Sequence, residues 1–246
     1  MRKLSVLLVV LAIAALLVFW AQKPAQDPGQ EPPIEQPMVL PQEPAANLAP
    51  ATNKVFRVDS DTSRLRVLAT PDGPLRRFGH YHVISHHGIS GSVEVPPNPL
   101  ESSFTLEINV GDFVIDDPAL RALEGEDYET EVPQKDRDGT KSNMLGEALL
   151  NGASFPTIRI QSSAIEGNMP DVNIVTKIAV IGTEQTVRFP ASIELTDDSF
   201  VASGQLELTH EELGLSPFTA MGGALSVGDL LILKYEISGT RVTTGD

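Results

Sequence analysis

Short stretches in which apolar and polar residues alternate fill the chain from Val55 to Val242, and clusters of turn-forming residues separate them. Successive side chains of a β-strand point to opposite faces, so this alternation predicts strands with one buried face. The stretches follow one another too closely for the crossover helices that parallel strands need. An antiparallel barrel or sandwich of about eight or nine strands is therefore predicted, and closure into a barrel would remove exposed sheet edges. The predicted strands cover residues 55–58, 65–70, 80–95, 104–110, 157–164, 172–181, 185–195, 200–209 and 229–242.

The stretch Arg77–Val95 holds four of the five histidines. Alternation from His80 predicts one strand face with His80, His82, Ile84 and His86, and an opposite face with Tyr81, Val83, Ser85 and His87. One face therefore carries three imidazoles. The segment Gly88–Gly91 predicts a bend or bulge, after which Ser92–Val95 continues the strand, as is typical of a long strand that curves at a barrel corner.

The acidic region Asp112–Asp138 does not keep the two-residue period. Within it, Asp117-Pro118 is a typical helix start and predicts a short helix over Ala119–Leu123. Apolar residues at helical spacing predict a second helix over Lys141–Leu150, and Phe155-Pro156 ends this region. The sheet is therefore predicted to be interrupted by one helical insertion.

The first fifth of the chain differs from the rest. Leu4–Ala21 contains no charged residue and follows the basic flank Met1–Lys3. As a helix it would be about 27 Å long, close to the hydrocarbon thickness of a bilayer. We interpret it as an uncleaved signal anchor or, alternatively, a removed signal peptide, and in both cases the remainder is exported. Residues 22–53 are rich in Pro and Gln and are predicted to be a disordered linker, which leaves one folded domain over residues 54–243.

Composition and motifs exclude several classes of function. A net charge of −15 disfavours a nucleic-acid partner, because phosphates would be repelled. The lack of cysteine excludes disulfides, thiolate metal sites and cysteine nucleophiles. Ser90 lacks the Gly-x-Ser-x-Gly context of a nucleophilic serine, and the acidic stretch Glu124–Glu131 lacks the spacing of a calcium-binding EF-hand. We therefore predict a protein that is not an enzyme.

Six short stretches, in order along the folded region, resemble the YceI-like family of lipocalin-like, polyisoprenoid-binding bacterial envelope proteins. They are Phe56–Ser60 with Ser63, Gly79–Val83, Gly139–Leu145, Ala153–Ile158, Gly182–Val187, and Gly214–Phe218 leading into Gly222–Leu225. The resemblance implies an antiparallel eight-stranded lipocalin-like barrel with helices at one end and an apolar tunnel for a long ligand. It also implies a periplasmic location, so that the N-terminal helix would anchor the domain to the inner membrane. The chain departs from the family at Thr209–Gly214, where Leu213 replaces an aromatic residue and negative charge is added.

The leading hypothesis is a non-catalytic carrier that holds a long apolar molecule inside the barrel. No cofactor is certain, and the lipophilic ligand would be an isoprenoid, a quinone-like molecule or a fatty-acyl chain, with His80 and His82 as polar anchors at the cavity mouth. The sequence is also compatible with a homodimer. The candidate ligand-binding residues are His80, His82, Phe104, Leu106, Ile108, Met144, Leu145, Phe155, Leu206, Leu208 and Phe218.

Three alternatives remain from the residues alone. A metal- or haem-associated redox accessory protein would use His80 and His82, with His86, His87 or His210 as a further ligand. The histidines could instead be structural and bonded to neighbouring backbone. The inward-facing apolar residues could pack a solid core, which would leave an exported barrel that binds protein partners through its acidic helical insertion.

Overall fold

A computed structural model of the chain describes residues 52–243. The predicted anchor over residues 1–21 and nearly all of the predicted linker lie outside the described residues, so these two domain assignments stay predictions. The strands are β1 Lys54–Val58, β2 Arg64–Asp72, β3 His82–His86, β4 Ser90–Val95, β5 Ser103–Asn109, β6 Val114–Ile115, β7 Thr157–Asn168, β8 Asp171–Val180, β9 Thr183–Leu195, β10 Ser199–Thr209, β11 Thr219–Ala220 and β12 Leu225–Arg241.

Eight of these strands form a closed antiparallel barrel in the order β1-β4-β5-β7-β8-β9-β10-β12. The ring closes where β1 pairs with the end of β12, with Phe56 opposite Arg241 and Val58 opposite Gly239. The predicted antiparallel eight-stranded barrel is confirmed, and the sandwich alternative is wrong. The predicted bounds of the later strands agree with the structure to within a few residues, except that β7 continues to Asn168 and β12 begins at Leu225. The two-residue strands β6 and β11 are too short for their alternation to be recognised in the sequence.

The chain bends within its first strands. As a result β1 and β2 occupy one strand position of the barrel, one after the other, and β3 and β4 occupy the next. Strand β12 pairs with β1 at one end and with β2 over the rest of its length. In the neighbouring position β3 pairs with β2, and β4 pairs with β1. The chain bends between β3 and β4 at Gly88, whose φ is 83°. The predicted bend is therefore confirmed, although the strand begins at His82, because Arg76–Phe78 form a 3₁₀ turn.

Two helices lie between β6 and β7, α1 Pro118–Arg121 and α2 Gln134–Leu145. The predicted start of α1 is confirmed, since the Asp117 carboxylate accepts hydrogen bonds from the amides of Ala119 and Leu120 at 2.9 and 3.2 Å. The predicted bounds of α2, Lys141–Leu150, are wrong. Its first half is polar and offers no apolar period to recognise, and the helix ends before Gly146. None of the helices within residues 52–243 combines the length and the apolarity needed to cross a membrane.

The insertion that contains α1 covers the outer face of the β2–β3 pair. Tyr128 packs there against Leu68 and Val83 in an apolar cluster separate from the barrel interior. The Glu124 side chain, 1% exposed, lies 3.0 Å from Arg66 on β2 and also forms an ion pair with Lys234 on β12. Apolar contact and one buried ion-pair network therefore hold the insertion to the barrel wall.

Candidate ligand-binding cavity

The barrel interior is hollow. A cavity of about 530 Å³ occupies one end and a second cavity of about 140 Å³ lies next to it. On β12 the outer cavity is lined from Leu225 to Leu233 and the inner cavity from Leu233 to Ile237, so the two follow each other along the strand. The residues that line both are Leu65, Ile108, Ile160, Ile178 and Leu233. The solid-core alternative is therefore wrong for this barrel.

Hydrocarbon side chains form the wall of the inner cavity. Four predicted ligand-binding residues lie here, Phe104, Leu106, Leu206 and Leu208, and Ile108 lines both cavities. The one polar group in this wall belongs to Tyr235, whose hydroxyl donates to the Pro190 carbonyl at 2.7 Å. Burial raises the pKa of Tyr235, so that the phenol stays neutral. The inner cavity can solvate an apolar chain but offers no free charge.

The outer cavity combines an apolar wall with polar side chains. Met144 and Phe218 line it as predicted, together with His80 and His82. Strand β2 and strand β7 contribute apolar residues that the sequence analysis did not select, although Ile158 and Ile160 belong to a recognisable alternating run. The polar lining residues are Thr70, His80, His82, Asp136, Thr140, Asn143, His210 and Ser226.

Two predicted ligand-binding residues line neither cavity. Leu145, at the end of α2, packs against the core. Phe155 is 36% exposed, and its ring lies over Gly182 in the β8–β9 turn, where a Cβ on the glycine would come within 2.9 Å of it. Phe155 immediately precedes Pro156 and β7, so its position is set by the turn rather than by strand alternation. The prediction that Leu145 and Phe155 line the cavity is not supported by the structure.

Asp116 fixes the orientation of His82. Its side chain is fully buried and accepts hydrogen bonds from His82 Nδ1 at 2.6 Å, the Val83 amide at 2.8 Å and Arg121 Nη1 at 2.6 Å. Burial would by itself raise the pKa of Asp116, but these hydrogen bonds and the charge of His82 outweigh it and lower the pKa below its ordinary value. The carboxylate is thus ionised and can only accept, so His82 Nδ1 carries the proton.

The remaining histidines occupy different environments. His80 Nε2 lies 3.8 Å from Asp136 of α2, and its ring meets the ring of His82 edge-on, with centroids 6.1 Å apart. His210 is buried beside the outer cavity, and its Nδ1 donates to the Asp229 carbonyl at 2.9 Å. His87 is exposed.

His86 is a core residue, not a cavity residue. It is 0% exposed, its Nε2 donates to the Asn109 carbonyl at 2.9 Å, and its ring packs edge-on against Phe113. Burial lowers the pKa of His86, although the bond to Asn109 acts in the opposite direction. His80, His82 and Ile84 share the predicted face and line the outer cavity, but His86 is withdrawn from it. Across residues 52–243 no three His, Asp or Glu side chains come together as a metal site, so the metal alternative lacks a third ligand.

Comparison with known proteins finds similar folds among solved structures. A comparison with models of protein families finds no match, and a comparison with curated proteins finds none either. The crystal structure of BcnA from Burkholderia cenocepacia matches 74% of this chain and 98% of its own, with a TM-score of 0.53 and 15% sequence identity. A crystal structure of the YceI protein from Campylobacter jejuni matches 63% of this chain and 82% of its own, with a TM-score of 0.46 and 9% identity. The chain shares the overall fold of BcnA.

The barrel is a single closed sheet around an internal cavity, which agrees with the lipocalin-like barrel that the resemblance implies. At these sequence identities the likeness establishes the fold alone. What the barrel could hold therefore depends on the residues that line its own cavity.

Proposed function

We propose that this protein is a non-catalytic carrier that holds one long apolar molecule, an isoprenoid, a quinone-like molecule or a fatty-acyl chain, along the barrel. One observation supports this more than any other, namely that the outer cavity of about 530 Å³ meets an inner cavity walled by hydrocarbon. Ligand pockets in proteins usually measure roughly 300–1,000 Å³ and have mostly apolar walls with few polar groups. Apart from Tyr235, whose hydroxyl is bonded to the Pro190 carbonyl, the polar residues of this site lie in the outer cavity, so an amphiphile would enter tail first.

Burial of hydrocarbon is sufficient to drive such binding. Each methylene group removed from water contributes roughly 0.8 kcal/mol before the costs of ordering the chain. A tail that reaches from the outer cavity past Leu233 to Ile237 would bury many such groups. Tight retention then needs no covalent or catalytic step, which is why we propose binding without turnover.

We further propose that the barrel works in the bacterial periplasm. The motivation is the uncharged segment Leu4–Ala21 behind a basic flank, followed by a Pro-rich linker. Such a tether would keep the barrel near the inner membrane, where lipophilic ligands are found.

Extraction of the purified full chain with organic solvent, followed by mass spectrometry, tests the proposal. Ala202 lines the inner cavity, so Ala202→Phe should fill it and reduce the bound long-chain lipid about tenfold. Ala179 follows the inward-facing Ile178 on β8 and points to the outside, so Ala179→Phe makes the same chemical change outside the cavity and should leave the lipid content unchanged. Equal lipid in all three proteins, or none in the wild type, would refute the carrier proposal.

A further inference from the structure

Two neighbouring loops border the outer cavity. They cover residues 73–79 and 219–224, and the Leu75 amide donates a hydrogen bond of 2.9 Å to the Ala224 carbonyl between them. Phe78 in the first loop lines the outer cavity and is 63% exposed, so it lies where that cavity opens to solvent. We call the two segments the rim loops and this opening the mouth.

Each rim loop exposes one large apolar side chain. Phe78 belongs to the first loop, and Met221 in the second is 72% exposed. Most other exposed large apolar residues within residues 52–243 have less than half of their surface in contact with solvent. Both side chains leave hydrocarbon surface in water, so their transfer to an apolar environment would be favourable.

The rim loops are basic in a chain that is acidic overall. They contain Arg76 and Arg77 and no Asp or Glu, whereas the whole chain has a net charge of −15. Both arginines are exposed, and neither forms an ion pair with another group of residues 52–243. The guanidinium carbon of Arg77 lies 4.6 Å from the centroid of the Phe78 ring. Because Asp72 precedes the first loop and Asp136 also lines the cavity, the positive charge is confined to the loop itself.

We propose that the rim loops are a membrane-docking surface, through which the mouth of the outer cavity contacts a bilayer that contains anionic lipids. Phe78 and Met221 would insert at the boundary of the acyl chains, and Arg76 and Arg77 would bind anionic lipid head groups. This rests on the proposed carrier function, because a long apolar ligand would then pass between bilayer and cavity without crossing water.

A bilayer fits this surface better than a protein partner does. A stable protein interface buries about 800 Å² on each partner and involves about 20–30 residues a side. The rim loops are far smaller than that and present only Phe78 and Met221 as large exposed apolar groups. Binding to a bilayer interface needs only a few apolar side chains that reach below the head groups, with basic residues beside them.

The chain ahead of the barrel is long enough for its mouth to reach the membrane. Strand β1 begins at Lys54 and pairs with the end of β12, whereas the second rim loop pairs with the start of β12. The linker therefore joins the barrel at the end far from the mouth. Strand β12 has 17 residues and is at most about 60 Å long. Residues 22–53 would span about 100 Å at about 3.1 Å per residue, which exceeds the length of the barrel.

The lack of cysteine allows a direct test on the full chain, because one introduced cysteine can carry a fluorescent label. Met221→Cys places the label on a rim loop. Leu123→Cys places it at a position that is 67% exposed, next to Glu124 on the barrel wall. Each protein is reconstituted in vesicles of phosphatidylcholine with a minority of phosphatidylglycerol, and a nitroxide on the acyl chains quenches labels that enter the bilayer. We expect strong quenching at position 221 and little at position 123.

Two double variants, made in the Met221→Cys protein, connect docking to the arginines. Arg76→Ala with Arg77→Ala should weaken docking about tenfold on the anionic vesicles, and should change little on phosphatidylcholine alone. Arg57→Ala with Arg241→Ala removes the same two charges from exposed positions at the opposite end of the barrel, and should leave the quenching unchanged.

The outcomes separate this proposal from the carrier function. Equal quenching at positions 221 and 123, or equal effects of the two double variants, overturns the docking surface. Quenching that depends on the number of protein copies per vesicle assigns the surface to a second copy of the chain and also overturns it. Organic extraction of the wild type reports on the carrier function alone. Bound lipid without docking leaves the carrier function standing, whereas docking without bound lipid supports the surface and overturns the carrier function.

Discussion

Asp116 is the buried charge on which the polar side of the outer cavity depends. It lies in the left-handed region with a φ of 54°, is 1% exposed, and binds Arg121, His82 and the Val83 amide. Arg121 in turn donates to the carbonyls of Tyr81 and Thr130, so that α1, β3 and the insertion meet at one carboxylate. The orientation of His82 is a consequence of this network.

Replacement of Asp116 by Ala should be strongly destabilising. It leaves the buried Arg121 guanidinium without its counter-ion, and breaking a buried pair from one side costs roughly 3–5 kcal/mol. Denaturant unfolding followed by circular dichroism measures the change. Asp138→Ala, on the exposed side of α2, should change the free energy of unfolding by less than about 0.5 kcal/mol. Comparable effects of the two changes would contradict the network described for Asp116.

His86 should make the stability of the barrel depend on pH. Because burial lowers its pKa in the folded state, the unfolded chain binds a proton that the folded protein refuses. The stabilisation from neutral His86 is complete above the ordinary histidine pKa of about 6.5 and is lost as the pH falls toward the lower folded value. His86→Phe should therefore lose less unfolding free energy than the wild type between about pH 8 and about pH 5.

His87 provides the matched control for that measurement. It is adjacent in sequence but exposed, so His87→Phe should retain the pH dependence of the wild type. If His86→Phe keeps the pH dependence of the unfolding free energy seen in the wild type, a group other than His86 causes that dependence.

Strand alternation predicts which residues face inward but not where each inward face ends. It predicted His80 and His82 at the cavity mouth and Phe104 and Leu106 on an inward face, and the structure places the first two in the lining of the outer cavity and the other two in the lining of the inner cavity. It could not show that His86 is withdrawn into the core against Phe113, because that depends on the bend after β3. The positions of Leu145 and Phe155 depend on a helix end and a turn, where no two-residue period applies.

At the scale of elements, Gly91 allows the bent strand to pair on both sides. A Cβ at Gly91 would lie 2.1 Å from the Thr105 carbonyl oxygen on β5, and its φ is 152°. Gly88 also has a positive φ, but a Cβ there would meet nothing within 4 Å. Both glycines have a positive φ, but only at Gly91 would a side chain overlap with a neighbouring strand. Comparing substitutions at the two positions therefore isolates the effect of the overlap.

Gly91→Ala should destabilise the barrel by roughly 3 kcal/mol, since β4 and β5 would have to separate. Gly88→Ala carries only the cost of a left-handed backbone, about 1 kcal/mol. Thermal or denaturant unfolding of both variants gives the comparison. A smaller loss for Gly91→Ala than for Gly88→Ala would contradict the observed approach of β4 to β5.

The helical insertion shows the limits of sequence reasoning at this scale. The Asp117-Pro118 start of α1 is chemically specific and was recognised, but the polar first half of α2 gives no apolar period. The polar residues Asp136 and Thr140 of the same helix lie at the outer cavity, so two residues that set its polarity could not be selected in advance.

At the scale of the molecule, the hollow interior is the feature that alternation cannot predict. A packed barrel and a hollow one share the same inward apolar faces, and only the final spacing of side chains distinguishes them. The closed eight-stranded ring leaves that space, with the outer cavity at one end and the inner cavity beyond Leu233.

The affinity of the full chain for a series of straight-chain alcohols of increasing length tests the hollow barrel most directly. Kd should fall about fourfold for each added methylene until the chain fills the inner cavity, and then level off. In Ala202→Phe the levelling should occur at a shorter chain, while Ala179→Phe should follow the wild type. A Kd that is independent of chain length, or a levelling point that is the same in Ala202→Phe as in the wild type, would contradict ligand binding along the barrel.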